Sequence, residues 1–430
     1  MQSRFIAYIL ITLSILFLVP DCFAVEHGFK FVSFADYYGG IEYSDGYENL
    51  RSRLFFRPEY SANFEDFGSE IIISANLWAQ PIGDPNFIDP YDIPNEVYFS
   101  KKTELFDFTV GQKLITYGFA DIYGPFNAPH STNQTLLSLD DQFDGRRPDP
   151  LFQLRFYPTL EDIVEFTYIP LTRPDKEQPD DVYLPETHDT VVWDDSSYLT
   201  DNLHSFFMNY KRYGENLDIQ LLYGWYTEHT PDFVVTNISS SNSYDIKPEY
   251  HHKHTIGAAY ATRVGNTTLS QDFALNITDD FSGKDLAAQD SDITVNTQIL
   301  ANLPWNILSQ YTIVYCYFFN HDEYDRQSDS KAAEYLAEQF HDFHNQPYQH
   351  ILFFVGHFEK SFLREKLKAQ LNMGFFFSPN IYVAPRLAYS ITDTSRLETG
   401  IEYTFGKPKD IDLRRNPSND NFFIRFIMQY

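Results

Sequence analysis

Cysteine is almost absent from this 430-residue chain, which has only Cys22 and Cys316. Cys22 falls in an N-terminal leader, so one thiol remains beyond it. That excludes an intramolecular disulfide framework and a multi-cysteine metal site. Basic residues are also scarce, 32 Lys and Arg against 60 Asp and Glu, for a formal net charge of −28. Phosphate binding needs a basic face, so a nucleic-acid partner is excluded as well. Past the leader, no apolar run approaches the roughly 20 residues of a spanning helix.

What is present is aromatic: 31 Tyr and 40 Phe against 4 Trp, together 17% of the chain. Mean hydropathy is nevertheless −0.37. Many aromatics in an acidic chain without a membrane helix fit an antiparallel β-barrel better than a soluble domain or a helical membrane protein. The leader supports export. Arg4 precedes an apolar run from Phe5 to Val19, and Cys22-Phe23-Ala24 supplies a small residue at the cleavage point. Residues 1–24 therefore read as a secretory signal peptide cleaved after Ala24, and 25–430 as one barrel.

The last strand is the most telling. Phe422, Ile424, Phe426, Met428 and Tyr430 recur with a period of two, alternating with Asn421, Phe423, Arg425, Ile427 and Gln429. One large apolar face ending on a terminal aromatic suits the closing strand of an outer-membrane barrel. Alternating segments continue through the chain: 29–38, 50–62, 69–81, 94–101, 104–117, 150–158, 162–171, 203–213 and 216–227 in the first half. The second half gives 249–262, 266–278, 291–302, 306–319, 348–361, 364–377, 380–390, 395–405 and 421–430. The expectation is an all-β transmembrane barrel of about eighteen strands, an even number. Links after even strands are tight, as in Glu65-Asp66-Phe67-Gly68 and Thr392-Asp393-Thr394, whereas links after odd strands are mostly long and polar. Short periplasmic turns and long external loops produce that rhythm. Ser378-Pro379-Asn380 breaks it, either through a slipped register or through a short outer loop.

Residues 104–118 resemble a strand motif of porin-like outer-membrane barrels. In those families a V-G-R-Q core precedes an apolar pair, an aromatic-Gly step and a long loop rich in Asp, Asn and Pro. Val110-Gly111-Gln112-Lys113 and Tyr117-Gly118 match that pattern, with Lys113 in place of Gln and Tyr117 in place of Trp. The Tyr389 strand, Phe405-Gly406 and Asn419-Asp420 before the last strand resemble the same poorly characterised Gram-negative group, with a more distant similarity to alginate-export barrels. The resemblance covers about a quarter of the chain. It implies a bacterial outer-membrane channel for passive diffusion of small polar or ionic solutes. It also implies a third outer loop folded into the lumen, and loop 118–149 has the matching position.

The candidate constriction residues are therefore Asp121, Asp140, Asp141, Asp144, Arg146 and Arg147 of that loop. Facing them would be the inward bases Arg51, Arg53, Arg57, Lys113, Arg155, Arg386 and Arg425. Strands at the two ends of the chain meet on closure, so Arg386 and Arg425 would share a wall with the Arg51/Arg53/Arg57 row. A basic wall opposite an acidic loop selects ions. Equally, these arginines could pair with Glu165, Glu398 and Glu402 as lumen-lining salt bridges, and the two readings are compatible.

His251, His252 and His254 lack helical spacing with a carboxylate and read as an interfacial patch. Asp140, Asp141, Asp144 and Gly145 lack the calcium-loop spacing. Residues 331–344 suit a short helix in an outer loop. No nucleophile elbow, catalytic triad order or phosphate cradle is found, so neither enzymatic activity nor a cofactor or metal is expected. Implied partners are outer-membrane lipid, the barrel-assembly machinery through the C-terminal strand, and small solutes, and oligomer formation is compatible with the pattern. The other reading is a surface adhesin or structural barrel with a closed lumen.

Overall fold

The computed structural model describes residues 25–40, 51–82, 93–120, 125–126, 129–132, 146–175, 191–193, 203–229, 232–238, 244–279, 281–282, 289–320, 349–376, 381–405 and 421–430. The leader 1–24, loop residues Asp121, Asp140, Asp141 and Asp144, and segment 331–344 lie outside the described residues.

Eighteen antiparallel strands close into one barrel. They are β1 Val25–Gly40, β2 Arg51–Phe64, β3 (two collinear stretches, Ser69–Ala75 and Leu77–Ile82), β4 Pro94–Lys102, β5 Phe106–Lys113 and β6 Asp149–Phe156. There follow β7 Asp162–Ile169, β8 Ser205–Arg212, β9 Leu217–Thr227, β10 His252–Val264, β11 Thr267–Thr278 and β12 Asp292–Leu303. The wall is completed by β13 Ile307–Phe318, β14 His350–Phe362, β15 Leu367–Phe376, β16 Ile381–Ser390, β17 Ser395–Phe405 and β18 Asn421–Gln429. Each pairs with its sequence neighbour, and β18 returns to β1 with Ile424 opposite Tyr37 and Arg425 opposite Asp36. Closure matters because an open sheet edge would leave unpaired amides in hydrocarbon.

The alternation read from the sequence sets the two faces. On β2, Arg53 and Phe55 are buried while Leu54 and Phe56 are exposed. On β18, Phe422, Ile424, Phe426 and Met428 are exposed, whereas Phe423, Arg425 and Ile427 are buried. On β17, Leu397 and Ile401 are exposed and Glu398 and Glu402 buried. In a soluble protein such a ring of exposed Phe, Leu and Ile would aggregate; around a closed barrel it meets lipid.

Even-numbered strands are followed by short turns. Gly265, at φ +61, opens the two-residue link between Val264 and Thr267. Trp305 and Asn306, at φ 65 and 58, turn the link between Leu303 and Ile307. The link expected to be anomalous at 378–380 is short: Ile381 pairs with Phe375 in unbroken register, so one outer loop is simply brief.

Two expected strand bounds need correction. The fifth strand does not run to residue 117 but stops at Lys113. Gly111 stays in register but sits at φ +126, where a Cβ would strike the Val97 carbonyl at 2.3 Å, and the segment after Lys113 turns away from the wall. The third strand is interrupted at Asn76, whose side chain bonds Arg57 and Asn95. The outer loops carry strands of their own. Asp232–Ile238 pairs with Tyr244–Glu249, which Val191–Trp193 joins in parallel, and Ser131–Thr132 bridges Arg146–Arg147.

Candidate functional site: an inward segment on a polar inner wall

After Lys113 the chain enters the lumen and lies along the inner faces of β7 to β11. The Tyr117 hydroxyl donates to Thr167 Oγ1 on β7 at 3.0 Å, and the Gly118 N–H donates to Gln220 Oε1 on β9 at 3.1 Å. The N–H groups of Phe119 and Ala120 donate to the two carboxylate oxygens of Asp272 on β11 at 3.0 and 3.2 Å. Hydrogen bonds to a charged acceptor contribute about 1.5–3 kcal/mol each, so Asp272 is the strongest of these anchors.

Glycine permits the approach twice. Gly118 sits at φ +87, and a Cβ there would meet Asp272 Oδ2 at 2.4 Å. On β10, a Cβ at Gly257 would meet the Phe126 ring at 2.1 Å, and Phe126 is fully buried. Beneath the segment the inner wall turns apolar: Ile115, Tyr117 and Phe126 pack with Leu151, Ile169, Phe207, Leu222 and Tyr226. Burying one such side chain contributes about 1.5–3 kcal/mol, so the segment is seated by packing as well as by hydrogen bonds.

The neck of the excursion is tied by polar groups. Ile115 donates its N–H to His130 Nε2 at 2.7 Å, and Arg146 Nη1 donates to Thr116 Oγ1 at 2.9 Å. Arg147 Nη1 donates to the Pro174 carbonyl at 3.0 Å, and Arg173 Nε to Asp149 Oδ1 at 2.9 Å. Burial holds the His130 imidazole well below its ordinary 6.5, reinforced by the nearby charges of His229, Arg146 and Arg173. The ring is therefore neutral and free to accept from Ile115.

The expected arginine row is distributed as follows. Arg51 is a residue of β2. Arg53 is buried and holds Asp36 with both Nε and Nη2, at 3.1 and 2.7 Å. Arg425, across the seam, bonds the same Asp36 at 3.2 Å, and both guanidiniums donate to Tyr38 Oη. Arg425 Nη1 also lies 4.0 Å from Glu398, and Arg386 Nη2 lies 3.5 Å from Glu402. Arg57 donates to Asn76 Oδ1 at 2.7 Å, Arg155 to Glu165 at 2.6 Å, and Lys113 Nζ sits 4.5 Å from the centre of the Tyr98 ring. Arg53, Arg386 and Arg425 do share one wall, but interleaved with Asp36, Glu398 and Glu402. The geometry is that of the salt-bridged alternative, and the wall is charge-balanced at those six residues.

Asp36, Asp272, Gln220 and His130 escaped sequence reading. Strand parity is enough to put Asp36 and Asp272 on inner faces, but a pattern of period two carries no information about partners across the lumen. His252 and His254 join the outer aromatic rim: the His252 ring stacks on Trp225 at 4.6 Å, and His254 Nδ1 is 3.0 Å from the Tyr223 hydroxyl.

No family model and no curated protein matches the chain. Solved structures of similar fold include the outer membrane protein OpdK from Pseudomonas aeruginosa, at 9% identity and TM-score 0.52, covering 94% of this chain and 98% of that one. Pseudomonas aeruginosa OccK5 (OpdH) gives 9% identity and 0.51 over 94% and 97%. Pseudomonas aeruginosa OpdQ gives 9% and 0.50 over 96% and 99%. With a closed eighteen-strand wall, an apolar exterior and the fold of these proteins, the chain is a bacterial outer-membrane β-barrel.

Proposed function

We propose that this barrel is a passive channel for small polar or ionic solutes, with the loop spanning 118–149 as its constriction. The observation that carries the reading is the inward segment: Tyr117 to Ala120 are anchored to three strands of the inner wall, β7, β9 and β11, by specific polar contacts. A lumen that served only as a plugged support would not need a segment pinned at the wall, whereas a sieve does. Solutes move down their gradient, and the loop sets size and preference rather than performing chemistry. Among the candidate pore-lining bases, Arg53, Arg386 and Arg425 are matched by acids. Charge preference then falls to the loop residues Asp121, Asp140, Asp141 and Asp144, with Arg146 and Arg147 at the neck. The OpdK and OpdQ barrels lend support through fold alone. Phe422, Ile424, Phe426, Met428 and Tyr430 would present the closing strand to the assembly machinery.

Purified protein in planar bilayers is expected to give discrete KCl conductance steps. Changing Asp140, Asp141 and Asp144 to Asn is expected to shift the reversal potential in a salt gradient. A silent bilayer at high salt would remove the channel and favour the adhesin, while unchanged reversal potentials would remove the loop from selectivity.

A further inference from the structure

We propose that solutes cross along the inner face of β14, and that Glu359 and Lys368 on this lane determine charge preference alongside the loop. The proposal rests on the channel reading and deepens it by stating where in the lumen the passage lies. Register fixes the inner face. Phe353 of β14 stands opposite Val314, which stands opposite Asn296 and then Asp272, the anchor of the inward segment. Ile351, Phe353, Val355, His357, Glu359 and Ser361 therefore point into the lumen.

Among the described residues, β14 is the one barrel strand with no buried inner position. On β10, by contrast, Lys253, Thr255, Gly257 and Ala259 are buried, and on β16 so are Tyr382, Ala384, Arg386 and Ala388. Over β7 to β11 the cause is the inward segment, which packs on that wall with Phe126 and excludes water. The accessible face of β14 runs from Ile351, at the outer end, to Ser361 beside the short turn. Ten residue steps of about 3.4 Å, tilted by about 40°, descend roughly 26 Å, the height of the apolar band. One strand thus offers an accessible face through the membrane depth, and a passage follows such a face.

The chemistry changes along the lane. Ile351, Phe353 and Val355 offer no side-chain hydrogen bond, so discrimination by charge falls to the lower half. There Lys368 Nζ lies 3.1 Å from Glu359 Oε1, and Gln370 Nε2 donates to Glu359 Oε2 at 2.9 Å. The Lys368 and Glu359 side chains are 44% and 19% exposed, so water competes for both and the pair is weak. On the neighbouring wall, the pairs of Arg386 with Glu402 and Arg425 with Asp36 are buried. A passing ion therefore meets Glu359 and Lys368 with both charges available, and each pulls in its own direction.

Cys316 on β13 stands opposite Ile351, so the test starts from a Cys316→Ser background. Single thiols are introduced by Val355→Cys and Ser361→Cys on the lane. Ala259→Cys and Ala274→Cys serve as controls, packed in one cluster with Tyr117 and Phe126 of the inward segment. Each folded variant is exposed in planar bilayers to a trimethylammonium methanethiosulfonate reagent. Open-channel current is expected to fall by at least a third in both lane variants and to stay unchanged in both controls. Separately, Glu359→Gln should move the reversal potential in a salt gradient toward anion preference, and Lys368→Gln toward cation preference. Conducting channels that are insensitive at 355 and 361, or sensitive at 259 and 274, would overturn the lane and leave the channel standing. Shifts that are absent or alike in sign would overturn the roles of Glu359 and Lys368. Silence of the unaltered protein would sink the channel and the lane together.

Discussion

Asp272 accepts the backbone N–H groups of two consecutive residues, Phe119 and Ala120, that precede it by 153 and 152 positions. Replacing it by Ala leaves two N–H groups without their acceptor, at about 1–3 kcal/mol each. The Asp272→Ala protein is expected to fold yet release the segment, seen as faster protease nicking between 114 and 132 and larger, noisier current steps. His130 tunes the same segment through protons. Its imidazole titrates well below 6.5 when docked because it is buried beside His229, Arg146 and Arg173. Above 6.5 the ring is neutral in both docked and released segments, so docking is at full strength. As pH falls below 6.5 the released ring takes a proton that the docked one refuses, and docking weakens by at most about 1.4 kcal/mol per pH unit. Nicking is therefore expected to accelerate from pH 7.5 to pH 5, and His130→Gln, which accepts from Ile115 without titrating, should flatten that dependence. An equal acceleration in both proteins would contradict the assignment.

Between elements, the seam where β18 meets β1 is held by more than its ladder. Asp36 of β1 sits between Arg53 of β2 and Arg425 of β18, so one carboxylate spans three strands across the point of closure. Removing one partner of a buried ion pair costs about 3–5 kcal/mol, because the remaining charge is left uncompensated. Asp36→Ala is expected to lower the temperature at which the folded, fast-migrating band converts to the unfolded one in gel electrophoresis. Changing Asp36, Arg53 and Arg425 together to Leu should recover much of that loss. Nearby, Phe34, Phe55, Ile427 and Trp78 pack on the inner face, so this part of the lumen wall is apolar as well as charged.

At the scale of the whole molecule, stability depends on the ring having no edge. Deleting Asn421–Tyr430 exposes β1 and β17 together, leaving two rows of unpaired amides at membrane depth. That truncation is expected to abolish the heat-modifiable band entirely, whereas shortening an outer loop should preserve it. A truncated chain that still inserts and resists heat would show that closure through β18 is dispensable.

The number of strands, their order and their two faces were legible in the sequence, because side-chain direction in a strand depends only on parity. Leu397, Ile401, Glu398 and Glu402 could be assigned to lipid or lumen from alternation alone. The short link at 378–380 was visible as a break in the rhythm, and only the pairing of Ile381 with Phe375 chose a brief loop over a slipped register. The end of the fifth strand at Lys113 was not legible, because nothing in the alternation marks it. The partners inside the lumen belong to tertiary structure. Asp36 with Arg425 and Asp272 with Phe119 meet only because a closed cylinder brings distant strands and loops across one another, and no local pattern encodes that distance.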